Sequence, residues 1–145
     1  MAHSTNVREY RALAEFRFLI RRHLNNAEKA GRTVGLEPQQ YQCMLALRGL
    51  PDGQEPTIRA LAERLQIRHH SAVELVDRME RKGLFRRERS TTDRRQVLVH
   101  MTPRGERILS RLVRHRIAEL RVTGPALVRA LSLIINPNGS RGRRS

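Results

Sequence analysis

Residues 58–105, IRALAERLQIRHHSAVELVDRMERKGLFRRERSTTDRRQVLVHMTPRG, decide the fold of this chain. They open with two short amphipathic helices and almost nothing between them. Thr57 stands where a helix N-cap belongs, and Ile58, Leu61, Ala62 and Leu65 share one side of the helix that follows. Gln66, Ile67 and Arg68 form a short joint. A second helix runs from about His69 to Lys82 with Ala72, Leu75, Val76 and Met79 inward, and Gly83 is placed for its left-handed C-cap. Helices joined so tightly cannot lie antiparallel. They cross steeply, and the second projects from the surface. The period then changes. Leu84–Arg89 and Gln96–Met101 read as two strands, with Val97, Val99 and Met101 alternating around the polar, arginine-tipped loop Ser90–Arg95. Thr102 and Pro103 read as an N-cap and a first helical residue.

The flanks are helical. From Asn6 to about Ala30, Leu13, Phe16, Ile20, Leu24 and Ala27 recur at helical spacing, and Gly31 and Gly35 then break the helix. Pro38 starts a helix to about Arg48 or Gly49, with Tyr41, Met44, Leu45 and Leu47 apolar, and the turn Pro51–Asp52–Gly53 closes it. After Thr102 a helix runs to about Val122. Thr123–Gly124–Pro125 interrupts it, and a last short helix spans about 125–135. Residues 1–5 read as a loose end and 136–145, rich in Gly, Asn and Ser, as a disordered tail. The fold expected is mainly α with a small β hairpin.

The chain has 145 residues and a formal net charge of +15, from 29 basic and 14 acidic side chains. That size supports one domain with a core, and the charge points to a polyanion. The charge is unevenly placed: residues 1–80 are nearly balanced, and the basic excess lies in 81–145. Arg outnumbers Lys heavily, which suits phosphate and guanine recognition and equally fits codon bias in a GC-rich genome. One cysteine, Cys43, excludes an internal disulfide framework and a cysteine-based zinc site. No apolar run is long enough to span a bilayer and the N-terminus has no signal core, so a cytoplasmic protein is expected. Neither a phosphate loop, a nucleophile elbow nor an HExxH motif occurs, and an enzyme is not expected.

Residues 58–105 resemble the winged helix–turn–helix of MarR-type transcriptional regulators. The resemblance rests on the LAERL helix, the VDRMERKGL run, Asp93-x-Arg95 and the strand ending in Met-Thr-Pro-x-Gly, where Met101 stands for the usual Leu. It implies one MarR-like domain over 1–145, with dimerisation helices 6–30 and 103–135 around a winged helix–turn–helix at 38–102. It also implies a homodimer that reads a near-palindromic operator, usually as a repressor, and is often released by a small aromatic ligand. The physics of the terminal helices agrees, since stripes this long cannot all be buried in so small a domain. Leu13, Phe16, Ile20, Leu112, Leu127, Leu131 and Ile134 are the candidates for the dimer surface or its adjoining core.

The projecting helix fits a major groove, with its first turns toward the base edges. Those turns carry Arg68, His69, His70, Ser71, Val73 and Glu74, with Arg78 further along. Arg68 suits guanine, Val73 a thymine methyl and Glu74 cytosine. Neighbouring helix residues point about 100° apart, so His69 and His70 make no metal pincer, and neither metal nor cofactor is expected. Arg94 and Arg95 tip a thin hairpin of a shape that reaches a minor groove, or they form a solvated charged turn. The family resemblance implies that Asp93 orients Arg95. Arg86, Arg87 and Arg89 fit phosphate contacts. Phe16, Arg17 and Tyr41 are candidates for a ligand pocket or plain core, and Cys43 for a buried thiol rather than a redox sensor. The alternative function is a sequence-blind architectural protein that binds nucleic acid by charge alone.

Overall fold

The computed structural model describes residues 4–139, in the order α1 (Val7–Thr33), α2 (Pro38–Arg48), α3 (Ile58–Leu65), α4 (His69–Arg81), β1 (Phe85–Arg89), β2 (Val97–Met101) and α5 (Pro103–Ile135). The described residues fall into two compact units. One takes α1 up to Ala27 and α5 from His115, and the other is Glu28–Arg114. Of the expected loose end and tail, residues 4–6 have no regular structure and 136–139 form a turn. Residues 1–3 and 140–145 lie outside the described residues.

Local chemistry accounts for the starts of these helices. The Asn6 side chain accepts from the Glu9 amide at 3.1 Å, and Glu9 accepts from the Asn6 amide at 2.9 Å. Glu37 and Gln40 make the same reciprocal box at α2, with Pro38 beside it. Thr57 Oγ1 accepts from the Ala60 amide at 3.1 Å, as its position predicts.

Two helix boundaries differ from the sequence reading. Gly31 does not break α1, which runs on to Thr33. Gly31 packs against Leu36 and Tyr41, and its carbonyl accepts from the Leu36 amide at 2.9 Å. The stop belongs to Gly35, whose φ of +78° suits glycine. The break expected at 123–125 is also absent, and α5 continues through Pro125. The proline forfeits a backbone hydrogen bond. Against that, Leu120, Leu127 and Ala130 stay on one inward face, and Thr123 donates its hydroxyl to the Glu119 carbonyl at 3.1 Å. Packing outweighs the local signal.

The core of Glu28–Arg114 is built by α2, α3, α4 and the hairpin. Met44, Leu61, Val76, Met79, Phe85 and Val99 are all but inaccessible. Ala72, Leu75, Val76 and Met79 face inward as their spacing predicts, whereas Leu45 of α2 is exposed. β1 and β2 pair antiparallel with Arg87 opposite Val99. β2 also meets the segment before α3: Val99 donates its amide to the Pro56 carbonyl at 2.7 Å, and Thr57 bridges Leu98. The Met-Thr-Pro-x-Gly run is a joint. Thr102 donates its hydroxyl to the Gly83 carbonyl at 2.7 Å and accepts from the Gly105 amide at 3.1 Å. A Cβ on Gly105 would lie 2.6 Å from the Leu84 carbonyl oxygen, so no larger residue fits.

The terminal-helix unit buries less. Ala12, Leu19, Ala27 and Ala130 are its buried apolar residues. Asn26 donates to Glu119 at 2.7 Å, and Arg116 Nη1 lies 2.7 Å from the same carboxyl group. No helix among the described residues is long and apolar enough to cross a membrane.

Candidate nucleic-acid interface

The joint between α3 and α4 gives the site its shape. Gln66 takes a left-handed conformation, φ +56°, as C-cap of α3, and the Ile67 amide bonds the Ala62 carbonyl at 3.0 Å. Arg68 is then the extended N-cap of α4 and makes no side-chain cap bond. Arg68, His69, His70, Glu74 and Arg78 are exposed, and Ser71 and Val73 are half-buried. The first two turns thus present a cation, two imidazoles and one carboxylate to solvent, while Ala72, Leu75 and Val76 anchor the opposite face. Among the described residues no group of three or more His, Cys, Asp or Glu stands close enough to hold a metal ion.

The hairpin loop is organised by a residue that sequence reasoning missed. Ser90 is buried, and its hydroxyl accepts from the amides of Thr92 and Asp93, both at 3.3 Å. The Ser90 amide donates to the Gln96 carbonyl at 3.0 Å. Asp93 accepts from the Arg95 amide at 3.0 Å, so it orients Arg95 through the backbone. Arg94 and Arg95 are exposed at the tip and make no ion pair among the described residues. The local signal was present in Ser90–Asp93, a hydroxyl and a carboxylate that satisfy turn amides.

The strand arginines divide. Arg89 is exposed and Arg86 lies 3.7 Å from Glu88 on the same strand. Arg87, expected to hold phosphates, is instead bound to Asp77 and lies 3.6 Å from Glu80, both on α4. Its charge is taken up inside the unit, where it ties the hairpin to the projecting helix. Sequence spacing within one element cannot reveal a partner that folding brings in from another. On the opposite strand His100 Nε2 lies 2.9 Å from Glu88, near it but out of line for a hydrogen bond.

The remaining predicted residues are placed as follows. Cys43 is buried, and burial pushes its thiol up to about 12. Tyr41 is buried in the Glu28–Arg114 unit, whereas Phe16 is half-buried and Arg17 exposed in the other. An open groove lined by Gln42, Leu45, Arg64 and Gln66 and a small concavity lined by Leu19, His23, Leu120 and Leu127 include none of these three. Leu112 is buried, Phe16, Ile20 and Leu127 are half-buried, and Leu13, Leu131 and Ile134 are exposed.

A tightly joined helix pair, a second helix with one exposed face and a two-stranded wing define a winged helix–turn–helix protein. Residues 34–96 match the model of the MarR family. The putative transcriptional regulatory protein for the hcr operon of Thauera aromatica is 35% identical over 80 residues, which cover 55% of this chain and 46% of that protein. The chain spans about half the length of the curated relatives it matches. AbsC, a MarR family transcriptional regulator from Streptomyces coelicolor, shares the fold at a TM-score of 0.72 and 21% identity, over 98% of this chain and 100% of its own. A MepR variant from S. aureus bound to an oligodeoxyribonucleotide aligns at a TM-score of 0.62 and 21% identity, over 74% of this chain and 77% of its own. Residues 34–96 are thus similar to the MarR family, and nearly all of the chain shares the fold of AbsC.

Proposed function

We propose that this protein is a transcriptional regulator that binds duplex DNA sequence-specifically. The observation that carries the reading is the solvent-facing pair of elements on one unit: the first turns of α4, with Arg68, His69, His70 and Glu74 exposed, and the wing tip, with Arg94 and Arg95 exposed on a loop held by Ser90 and Asp93. The helix suits base edges in a major groove and the arginine tip suits the narrow minor groove beside it. Ser71, Val73 and Arg78 complete the helix contribution, and Arg86 and Arg89 hold phosphates. The oligodeoxyribonucleotide-bound MepR variant has the same fold, which supports duplex DNA as the partner.

The reading includes a homodimer on a near-palindromic operator, and the exposed apolar side chains of the terminal helices support the dimer. Leu13, Leu131 and Ile134 are among them, beside Val7, Val128 and Ile135. Side chains of this kind are covered most simply by a second copy. Repression, with release by a small aromatic ligand bound near Phe16, Arg17 or Tyr41, completes the proposal. Such a ligand acts by binding one spacing of the two reading heads better than the other.

Selection of preferred sequences from random duplex DNA tests the reading. A recovered palindrome with two half-sites is the expected result. Uniform recovery with a steep salt dependence would instead make the protein a sequence-blind binder. A monomer mass at all concentrations would remove the dimer, and DNA affinity unchanged across a panel of aromatic acids and phenols would remove the ligand.

A further inference from the structure

The winged helix–turn–helix accounts for only part of the basic excess. A second concentration of charge lies at the start of α5. Arg104, Arg107, Arg111 and Arg114 stand three or four residues apart and share one face of the helix. All four are exposed, while Gly105, Leu109 and Leu112 on the other side are buried. The exposed residues of α5 up to Arg114 are these arginines with Pro103 and Ser110. The ridge runs about 15 Å along the helix.

This ridge is not neutralised. Glu106, the sole carboxylate of α5 before His115, points elsewhere and pairs with Arg48 at 3.1 Å. None of the four arginines has an ion-pair partner among the described residues. Arg104 donates to the Lys82 carbonyl at 2.9 Å, which fixes the start of the ridge at the C-terminal end of α4 without cancelling its charge. Like charges three and four residues apart oppose the helix that carries them.

The surroundings select the occupant. A protein partner needs apolar or aromatic anchors at the centre of its footprint, and the exposed part of this face has none. The same face of a second copy would set arginine against arginine. The phosphate backbone of a duplex needs neither anchor nor register and rewards a row of arginines. The ridge starts at the other end of α4 from the turns proposed to read the first duplex. That far end of α4 lies roughly 10–18 Å along the helix from His69–Glu74, the turns proposed to face the bases. Bringing the same duplex back to it would bend stiff DNA, whereas a separate duplex needs no bending.

We propose that Arg104, Arg107, Arg111 and Arg114 form a second, sequence-blind docking surface for the backbone of a separate DNA duplex, so that the protein bridges two duplexes. This rests on the duplex-DNA reading above for its first site. A bridging assay on the full chain tests it. One duplex bearing a selected sequence is immobilised, and retention of a labelled duplex of unrelated sequence is measured. The wild-type protein retains the label in a salt-sensitive manner. Combined Arg107→Gln, Arg111→Gln and Arg114→Gln substitution lowers retention by about tenfold or more and leaves loading on the first duplex unchanged. Circular dichroism and thermal melting check that the variant folds.

Absent bridging by the wild type, or equal bridging by the variant, overturns the proposal. Lost loading on the first duplex also overturns it, because the ridge then belongs to the primary contact. Weakened binding confined to single duplexes with long flanks assigns the ridge to wrapped flanking DNA, and a loss confined to polyglutamate assigns it to an acidic polypeptide. Either result replaces the proposal. Failure of the first reading looks different: no preferred sequence emerges, and bridging is then scored between two random duplexes.

Discussion

The two units of this chain divide its apolar side chains unequally. All but four of the buried apolar residues lie in Glu28–Arg114, and all but two of the exposed large ones lie outside it. The winged unit closes on itself because α2, α3, α4 and the hairpin supply faces on several sides of Met44, Leu61 and Val99. The terminal-helix unit has two helices, and two helices can cover only one stripe of each other. The difference teaches where self-sufficiency ends. One unit has completed its core within the chain, and the other leaves apolar side chains exposed.

Perturbing the two units separately breaks or sharpens this contrast. The largest effect is expected from Phe85→Ala in the closed core, a loss of roughly 3–5 kcal/mol in urea unfolding. Leu131→Asp with Ile134→Asp should instead raise the dimer dissociation constant by about a hundredfold, roughly 3 kcal/mol, read by sedimentation. A stable, unchanged mass would mean that the exposed stripe of the terminal unit needs no copy to cover it. Gly105→Ala drives a methyl group into the Leu84 carbonyl and should cost about 1–3 kcal/mol, again by denaturant unfolding. Arg95→Ala should weaken DNA binding by about 1–3 kcal/mol in gel-shift titration and leave the melting temperature where it was. That outcome would separate function from stability within the winged unit.

The smallest effect concerns Cys43. Its thiol ionises near 9 in the unfolded chain and is held up to about 12 in the fold, so the unfolded state sheds the proton first as pH rises. This contribution to stability is intact below about pH 9 and is lost as pH rises from there toward about 12. Between pH 8 and about 10, Cys43→Ala should flatten part of the fall in the urea midpoint. Labelling of the native thiol at pH 8 should proceed no faster than unfolding.

Much of the winged unit was legible because its signals are local. Thr57 as a cap, the three-residue joint, the inward run Ala72–Leu75–Val76–Met79 and the Thr102–Pro103 start each lie within a few residues of what they determine. The continuity of α5 was not legible. Pro125 is a strong local breaker, and the inward face that overrides it is realised only against another element. Gly31 misled in the same way, since its lack of a side chain serves packing against Leu36 and Tyr41 rather than a turn. In the candidate site, α4 and the wing tip could be named from the sequence. The internal pairing of Arg87 could not, because Asp77 and Glu80 reach it across the fold.

That pairing has a mechanical consequence. Arg87 sits at the middle of β1, opposite Val99, and its two carboxylate partners lie three residues apart on α4. The hairpin is therefore braced to the helix at two points and is not free to swing on Gly83. A braced pair of prongs behaves as a calliper with a fixed gap. If the proposed DNA reading holds, it would grip a duplex whose neighbouring grooves have the matching interval and lose one prong on a duplex that is overwound or unwound. On the proposed duplex-DNA reading, the molecule would then gauge helical twist as well as base identity.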